Sequence, residues 1–247
     1  MDRALWITWY DLRESGRDAY LAWLHRAYIP WQLERPGFLW AAHYASEEKI
    51  VYAGAKGRLK NMNDGSVPTG SRFILLFGGE HANVFADPMP GELQANLPEA
   101  EKKMLSTRTG ERFNIMIEQA RVNGPEADLR DPATALSPCI QLGSFNAGPA
   151  PGDEQNLIGW FAQSRLPSMT KMPGSVRTRK LVSVCGWAKH AVLYEFASVA
   201  ARNEIFVHYE EKTDPVMAKW SDRIVRSLSH APGSPNVAHR IGSEVKR

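Results

Sequence analysis

The chain has 247 residues, of which 43% are hydrophobic, so its composition predicts a packed core and excludes a disordered polypeptide. Its 30 Lys and Arg residues and 27 Asp and Glu residues leave a formal charge of only +3 with no basic block, so nucleic acid is not an expected partner. No apolar run reaches the ~18 residues of a membrane helix, and the first residues lack a signal-peptide core. We therefore expect no membrane partner and a cytoplasmic location.

In the first half of the chain, hydrophobic periodicity predicts four strands and two helices. A strand over 4–12 precedes an amphipathic helix over 18–34, which the Pro36-Gly37 pair ends. The later elements are strands over 38–45, 73–77 and 113–122 and a polar helix over 92–105. An insertion at about 54–72 is rich in Gly, Asn and Lys and predicts a loop that could cover a site.

The second half predicts the same order of elements. Its strands are expected over 139–145, 176–184, 191–196 and 236–242, and its helices over 154–172 and within 201–229. Each half is therefore a βαββαβ unit, which is the ferredoxin-like arrangement. We predict a first ferredoxin-like repeat over 1–122, a linker over 123–136 and a second repeat over 137–247.

A repeated pattern of residues supports this division. Trp23, Pro30 and the Pro36-Gly37 pair each recur 137 residues later, at Trp160, Pro167 and Pro173-Gly174. A ferredoxin-like sheet has helices on one face and an apolar face that must be covered. The predicted fold class is therefore α+β, with two tandem ferredoxin-like repeats packed sheet to sheet as a single-chain α+β barrel.

The chain shows none of the common cofactor motifs. It has no Gly-rich phosphate loop, and its histidines follow no metal-binding spacing. Cys139 and Cys185 lie in apolar runs and indicate buried thiols in a reducing compartment, not a disulfide or a metal site. We expect neither a metal nor an organic cofactor.

The stretch from Trp23 to Phe38 reads W-x5-I-P-x2-L-x2-P-G-F. This pattern resembles the first-helix signature of dimeric α+β barrel proteins, close to the EthD-like families. The resemblance implies the barrel fold and makes a homodimer possible. Members of these families include cofactor-free monooxygenases, isomerases, dehydratases, lyases and haem-dependent enzymes. Where the families often have His before Ile-Pro, this chain has Tyr28, and its second half has Arg165.

Three residues are the candidates for catalysis. His25 lies one helical turn before Tyr28, and an imidazole beside a phenol is a workable acid–base pair near neutral pH. His43 lies in the second strand, where alternation places it on the face opposite Trp40 and Tyr44. Either His43 or that aromatic pair faces the helices. The alternative interpretations are a surface histidine at His25 and a core tyrosine at Tyr28.

Eight further side chains are candidates for contact with a substrate. Tryptophans can line a pocket, arginines can bind an anionic oxygen, and polar residues in the last strand of each half can point toward a site. The alternatives are ordinary core packing for the aromatic residues and solvation or ion pairing for the charged ones. These candidates are Trp9, Trp31, Trp40, Arg165, Arg177, Arg179, Glu118 and His239.

Together these residues favour a cofactor-independent enzyme of the lyase or isomerase type. It would eliminate, isomerise or cyclise a small hydrophobic, aromatic substrate, with His25 as the base and Tyr28 as the acid. Two alternatives remain, a haem- or metal-dependent oxidoreductase on the same fold and a non-catalytic ligand-binding protein. By resemblance to haem-binding barrels, an axial histidine is expected in the helix over 154–172, which has none; His208 lies in the other helical region.

Overall fold

The computed structural model describes residues 1–47, 59–62, 64–129, 136–206, 209, 215–242 and 245–246. The predicted loop at 54–72 and the predicted linker at 123–136 lie partly outside the described residues, and His208 lies wholly outside them.

The strands in the described part of the chain form one sheet. Their bounds are β1 (Ala4–Leu12), β2 (Phe38–Ser46), β3 (Lys60–Asn61), β4 (Phe73–Gly79), β5 (Arg108–Asn123), β6 (Cys139–Asn146), β7 (Ser175–Gly186), β8 (His190–Phe196), β9 (Ser229–His230), β10 (Asn236–Arg240) and β11 (Val245–Lys246). The predicted strands all occur, and β5 is longer than expected because it begins at Arg108, directly after a helix.

Eight of these strands close into an antiparallel barrel. They follow the order β10-β2-β4-β1-β5-β7-β8-β6, and β6 pairs with β10 again. The first half of the chain contributes β2-β4-β1-β5 and the second half contributes β7-β8-β6-β10. Hydrogen bonds between β5 and β7 and between β10 and β2 join the halves. The predicted α+β class and the barrel are confirmed.

The helices pack outside the barrel. Their bounds are α1 (Arg17–Trp23), α2 (Ile29–Leu33), α3 (Pro90–Ala95), α4 (Glu99–Leu105), α5 (Pro151–Trp160), α6 (Leu166–Met169), α7 (Val199–Ala201) and α8 (Pro215–Ser227). The sequence predicted one helix over 92–105, but Pro98 caps a new helix there because it cannot donate the hydrogen bond that would continue α3.

Both long helices contain a π-helical turn immediately before Ile-Pro or Leu-Pro. The first turn, Leu24–Tyr28, joins α1 to α2, and the second, Phe161–Arg165, joins α5 to α6. In each turn the residue before the proline donates its N–H to the carbonyl five residues earlier. A proline inside a helix clashes with the carbonyl four residues earlier, so the wider turn lets the helix continue.

Strand alternation divides the core into three clusters. Leu5, Ile7 and Trp9 of β1 point into the barrel, which apolar side chains fill. The alternate residues, such as Trp6 and Tyr10, pack against α1 and α2 in a second cluster. A third cluster lies between the second-half strands and the helices α5, α6 and α8. Each half therefore has its own interface between sheet and helices, separate from the barrel interior.

Candidate functional site

The first π-helical turn places His25 against strand β2. His25 Nε2 lies 2.8 Å from His43 Nδ1, and His43 Nε2 lies 2.7 Å from Tyr10 Oη. His43 and Tyr10 are buried, whereas His25 is about half-buried. We call this hydrogen-bonded series Tyr10–His43–His25 the histidine relay. It runs from the core between sheet and helices to the protein surface.

Burial determines the protonation of the histidine relay. It lowers the pKa of His43 well below its usual value, and the charges of His25 and Arg108 act in the same direction. Burial also lowers the pKa of His25 and raises the pKa of Tyr10 well above its usual value. At neutral pH both imidazoles are therefore uncharged and Tyr10 keeps its proton. His25 is the member that solvent reaches, so it is available as a base.

Arg108 supplies a fixed positive charge beneath the relay. Its Nε donates to Tyr20 Oη at 2.6 Å and its Nη1 donates to Glu111 at 2.8 Å. The guanidinium carbon lies 4.6 Å from the ring centre of Tyr10 and 5.9 Å from that of Tyr28. Its Nη2 is buried without a hydrogen-bond partner. A buried cation held this way favours anions nearby and disfavours protonation of the adjacent imidazole.

Tyr28 lies beside this group but outside the relay. Its ring packs between Trp23 and Trp31, with centres 5.1 and 6.0 Å away. Burial raises its pKa to about 12, so the phenol stays protonated at neutral pH. The structure brings the three predicted catalytic residues into one region, but only His25 and His43 are hydrogen-bonded to each other.

The three predicted tryptophans do not converge on one pocket. Trp9 and Trp40 point into the barrel, and Trp40 Nε1 donates to Asp2 at 3.2 Å. Trp31 lies on α2 with 39% of its surface exposed. His43 faces the helices and Trp40 faces the barrel interior. The sequence had left open which of the two faces of β2 carries His43. Trp31 contacts Tyr28, which lies outside the histidine relay.

Arg179 and Glu118 belong to a buried ion network instead of a pocket. Arg179 Nε lies 2.5 Å from Glu118, and its Nη1 lies 2.8 Å from Asp2. Arg121 contacts the same two carboxylates at 2.8 and 3.0 Å. Two arginines therefore share two carboxylates across the seam between β5 and β7. The network ties residue 2 to both halves of the chain, so we give it a structural role.

The remaining predicted contacts are dispersed. Arg165 lies in the second half, where its Nε donates to Tyr194 Oη at 2.8 Å. Arg177 makes a long exposed hydrogen bond to Asn123. His239 is exposed and lies 2.5 Å from Glu47. None of the three shares a hydrogen bond with the histidine relay.

The second half has a different polar cluster at the matching position. Lys180 follows His43 by the same 137 residues that separate the two π-helical turns. Its Nζ lies 2.7 Å from Leu181 O and 3.1 Å from His190 Nδ1. His190 Nε2 lies 3.2 Å from Glu154 Oε1. Burial lowers the pKa of Lys180 to about 7 and also lowers that of His190.

Sequence reasoning missed Tyr10, Arg108 and His190, whereas the offset of 137 residues did align Lys180 with His43. Alternation within β1 could have placed Tyr10 on the same face as Trp6, the face that packs against the helices, because Trp9 belongs to the opposite face. His190 is 2% exposed although it is the first residue of its strand. Nothing in the local pattern marks Arg108, because Tyr20 and Tyr10, which it contacts, come from other elements.

The fold is shared with known proteins, although no family's sequence profile and no curated protein sequence matches this chain. An anthrone oxidase-like protein is 10% identical, with 99% of this chain and 93% of that one covered and a TM-score of 0.60. A candidate monooxygenase from Lactobacillus acidophilus NCFM is 9% identical, with coverage of 100% and 97% and a TM-score of 0.54. A chlorite dismutase from Candidatus Nitrospira defluvii, in complex with imidazole, is 9% identical, with coverage of 97% and 91% and a TM-score of 0.52.

At these identities the comparisons show the fold alone, a closed antiparallel barrel with helices outside it. They correct the prediction of a lyase or isomerase. The structurally similar proteins are named as an oxidase-like protein, a candidate monooxygenase and a chlorite dismutase. These names favour the alternative reading of the sequence, a haem- or metal-dependent oxidoreductase on the same fold, over the lyase or isomerase. The closer resemblance to EthD-like families stays a prediction.

His43 and His190 are not available as axial ligands of a haem. Both ring nitrogens of His43 and both of His190 are already hydrogen-bonded. Within the described ranges, no group of three His, Cys, Asp or Glu residues could hold a metal ion. The described helices also include none that is long and apolar enough to cross a membrane.

We expect Gly242→Ala to disturb the histidine relay. Gly242 has a φ of +74°, and a Cβ there would clash with Cε1 and Nδ1 of His25. The strained backbone and the displaced imidazole should together lower the free energy of unfolding by about 1–3 kcal/mol, measured by urea denaturation. Gly65→Ala is the control, because a Cβ at Gly65 meets nothing within 4 Å. Equal stability of the two variants would contradict the packing of Gly242 on His25.

Proposed function

We propose that the chain is an oxidoreductase of the monooxygenase or oxidase type. Its substrate would be a small aromatic compound with an acidic C–H or O–H group, and its oxidant would be O2. The observation that carries this proposal is the histidine relay, which ends at an uncharged, half-buried His25. The names of the structurally similar proteins favour oxidation over elimination or isomerisation.

The relay and Arg108 have separate roles in the proposed reaction. His25 removes the acidic proton of the substrate and holds it. His43 and Tyr10 fix the orientation of the His25 ring by their hydrogen bonds. The positive charge of Arg108 favours the substrate anion and keeps the proton from moving inward to His43. The charge that develops on His25 therefore stays at the surface end of the relay.

The proposed oxidation balances without a further reductant. For a substrate with an acidic CH2 group, the carbanion transfers its electron pair to O2 and forms a C–O bond. The peroxide takes the proton back from His25 to give a hydroperoxide. Loss of water from the hydroperoxide forms the ketone. One CH2 group and one O2 thus yield one C=O group and one H2O, and His25 returns to its uncharged form.

We also propose that the chain consists of two ferredoxin-like repeats that play the part of two subunits. In each half the strands follow the spatial order second, third, first, fourth, and each first long helix has its π-helical turn before a proline. The proposed boundaries are 1–122, 123–136 and 137–247, with EthD-like proteins as the relatives. A dimer with two-fold symmetry has two identical sites, whereas one chain can carry different ones. A further homodimer stays a prediction.

The proposed activity is tested by oxygen consumption. Purified protein in air-saturated buffer at pH 7.5 with a chelator is mixed with anthrone or a related phenolic compound, and O2 uptake and product are measured together. We expect uptake above the uncatalysed rate, with one O2 consumed for each ketone formed. Binding of these compounds without faster uptake would instead support a non-catalytic binding protein. Activity only after addition of haem would contradict the cofactor-free mechanism.

A further inference from the structure

The second half of the chain contains a buried lysine that the proposed oxidation does not use. Lys180, on β7, is 1% exposed and lies within hydrogen-bond distance of His190, which in turn contacts Glu154 on α5. Lysine is rarely buried without a carboxylate partner, because the charged amine must leave water. An apolar residue would fill this core position at lower cost.

We propose that Lys180, His190 and Glu154 form a second reactive site, in which the Lys180 amine forms an imine with small aldehydes or ketones. The three groups have the arrangement of a nucleophile, a base and an orienting carboxylate. The Lys180–His190 distance is 3.1 Å and the His190–Glu154 distance is 3.2 Å. Both lie within the range over which such groups exchange protons.

The hydrogen bonds determine the form of each group. Glu154 is an acceptor, so His190 Nε2 carries the proton and donates to it. His190 Nδ1 is then an acceptor and receives an N–H from Lys180. Lys180 donates its other N–H to Leu181 O at 2.7 Å. An uncharged amine uses both of its hydrogens in this way, and its lone pair remains for attack on a carbonyl carbon.

The surroundings favour the uncharged amine. Burial lowers the pKa of Lys180 to about 7, with Glu154 opposing the shift. Glu154 bonds to His190 and to the exposed Lys189, not to Lys180 itself. The carboxylate that would keep Lys180 charged therefore contacts His190 and not the amine. Lysines with a depressed pKa are the ones that serve as amine nucleophiles.

The lining of the site indicates its ligand class. Lys180 Nζ lies 5.3 Å from the ring centre of Phe161, and the ring of Phe145 stacks on His190 at 6.3 Å. Glu154 is 39% exposed, so the outer end of the series reaches solvent. Aromatic walls around one reactive group suit a small apolar or aromatic carbonyl compound. A highly charged sugar phosphate would find no arginine in this series to balance it.

The proposed reaction is a condensation with no change in oxidation state. The Lys180 nitrogen adds to the carbonyl carbon to give a carbinolamine. His190 accepts the proton from the nitrogen and delivers it to the departing hydroxyl group. The products are one imine and one molecule of water. Glu154 holds the proton of His190 Nε2 and so stabilises the imidazolium that forms during this transfer.

The site is tested by trapping the imine in the full-length folded protein. The protein is incubated with limiting benzaldehyde and sodium cyanoborohydride at pH 7.5, and the adduct is located by intact mass and peptide mapping. We expect one reduced benzyl adduct, at Lys180, before exposed lysines such as Lys171 react. Adducts spread over exposed lysines, with Lys180 modified only after denaturation, would overturn the proposal.

Variants separate reactivity from structure. Lys180→Arg should lose the early adduct, whereas Lys171→Arg should keep it. His190→Gln should slow adduct formation at Lys180 by about 10²-fold, and Glu154→Gln should slow it by less. In both variants the thermal unfolding midpoint should change little. Glu154→Asp should recover part of the rate lost in Glu154→Gln. If both substitutions left the labelling rate unchanged, His190 and Glu154 would have no part in the reaction. The wild-type mapping still decides the role of Lys180 if Lys180→Arg fails to fold.

Discussion

We expect His25→Gln to lower kcat/KM for the oxidised aromatic substrate by about 10²–10⁴-fold, the usual contribution of a general base. Glutamine can keep a hydrogen bond to His43 Nδ1 but cannot accept the substrate proton. In the wild type, kcat/KM should rise with pH through a pKa below 6.5 and then level off, since burial lowers the pKa of His25 and the base must be uncharged. Oxygen uptake across pH 4.5–8 measures both effects.

His81→Gln is the matched control for this experiment. His81 is exposed, so its loss should leave the rate and the pH profile unchanged. The kcat/KM of His43→Phe should lie between those of His25→Gln and His81→Gln. This substitution removes the hydrogen bond that orients the His25 ring but keeps the base. Wild-type kcat/KM in His25→Gln would exclude His25 as the base. A lowered rate with an unchanged pH profile would assign it a positioning role only.

We expect Glu118→Gln to lower the free energy of unfolding by about 3 kcal/mol. The substitution removes a charge that compensates the fully buried Arg179 and contacts Arg121 as well. A buried cation that loses one carboxylate is strongly destabilising, even where the intact pair adds little net stability. For a chain of this size, the loss should lower Tm by about 6–12 °C in a calorimetric scan at pH 7.

Asp222→Asn supplies the comparison. Asp222 pairs with Arg226 one turn later on α8, where both side chains are largely exposed. Such a pair contributes about 0.3–0.5 kcal/mol, so this variant should lower Tm by about 2 °C at most. If the two variants lost the same small amount, the network around Arg179 would have to be solvated in solution.

The barrel could be predicted from the sequence because its evidence is local. The recurrence of Trp23, Pro30 and Pro36-Gly37 predicts a repeat, and alternation in β2 limits His43 to one of two faces. The site could be predicted only in part. Helical spacing brought His25 close to Tyr28, but the partner of His25 is on β2 and the partner of His43 is on β1. Cross-strand register, which no single strand contains, decides those contacts.

The tryptophans are a second case in which the sequence did not determine what a side chain contacts. Trp9 and Trp40 were expected to line a pocket because both are aromatic and lie near candidate polar residues. In the closed barrel they face the interior, where both belong to one buried apolar cluster. Glu118 and Arg179 were expected to contact a substrate, but each faces a carboxylate or guanidinium from another strand. Long-range pairing, not residue type, determined these outcomes.

The pairing of β10 with β2 has a consequence for how the chain acquires its structure. This ladder joins Ala238 to Ser46 and Arg240 to Tyr44, so most of the chain lies between the partners. A ribosome must therefore release most of the polypeptide before the last seam can form. Until then β2 and β6 each lack a neighbour, and unpaired strand edges are prone to intermolecular association. We expect slow, high-contact-order folding and a nascent chain that depends on chaperones until this seam closes.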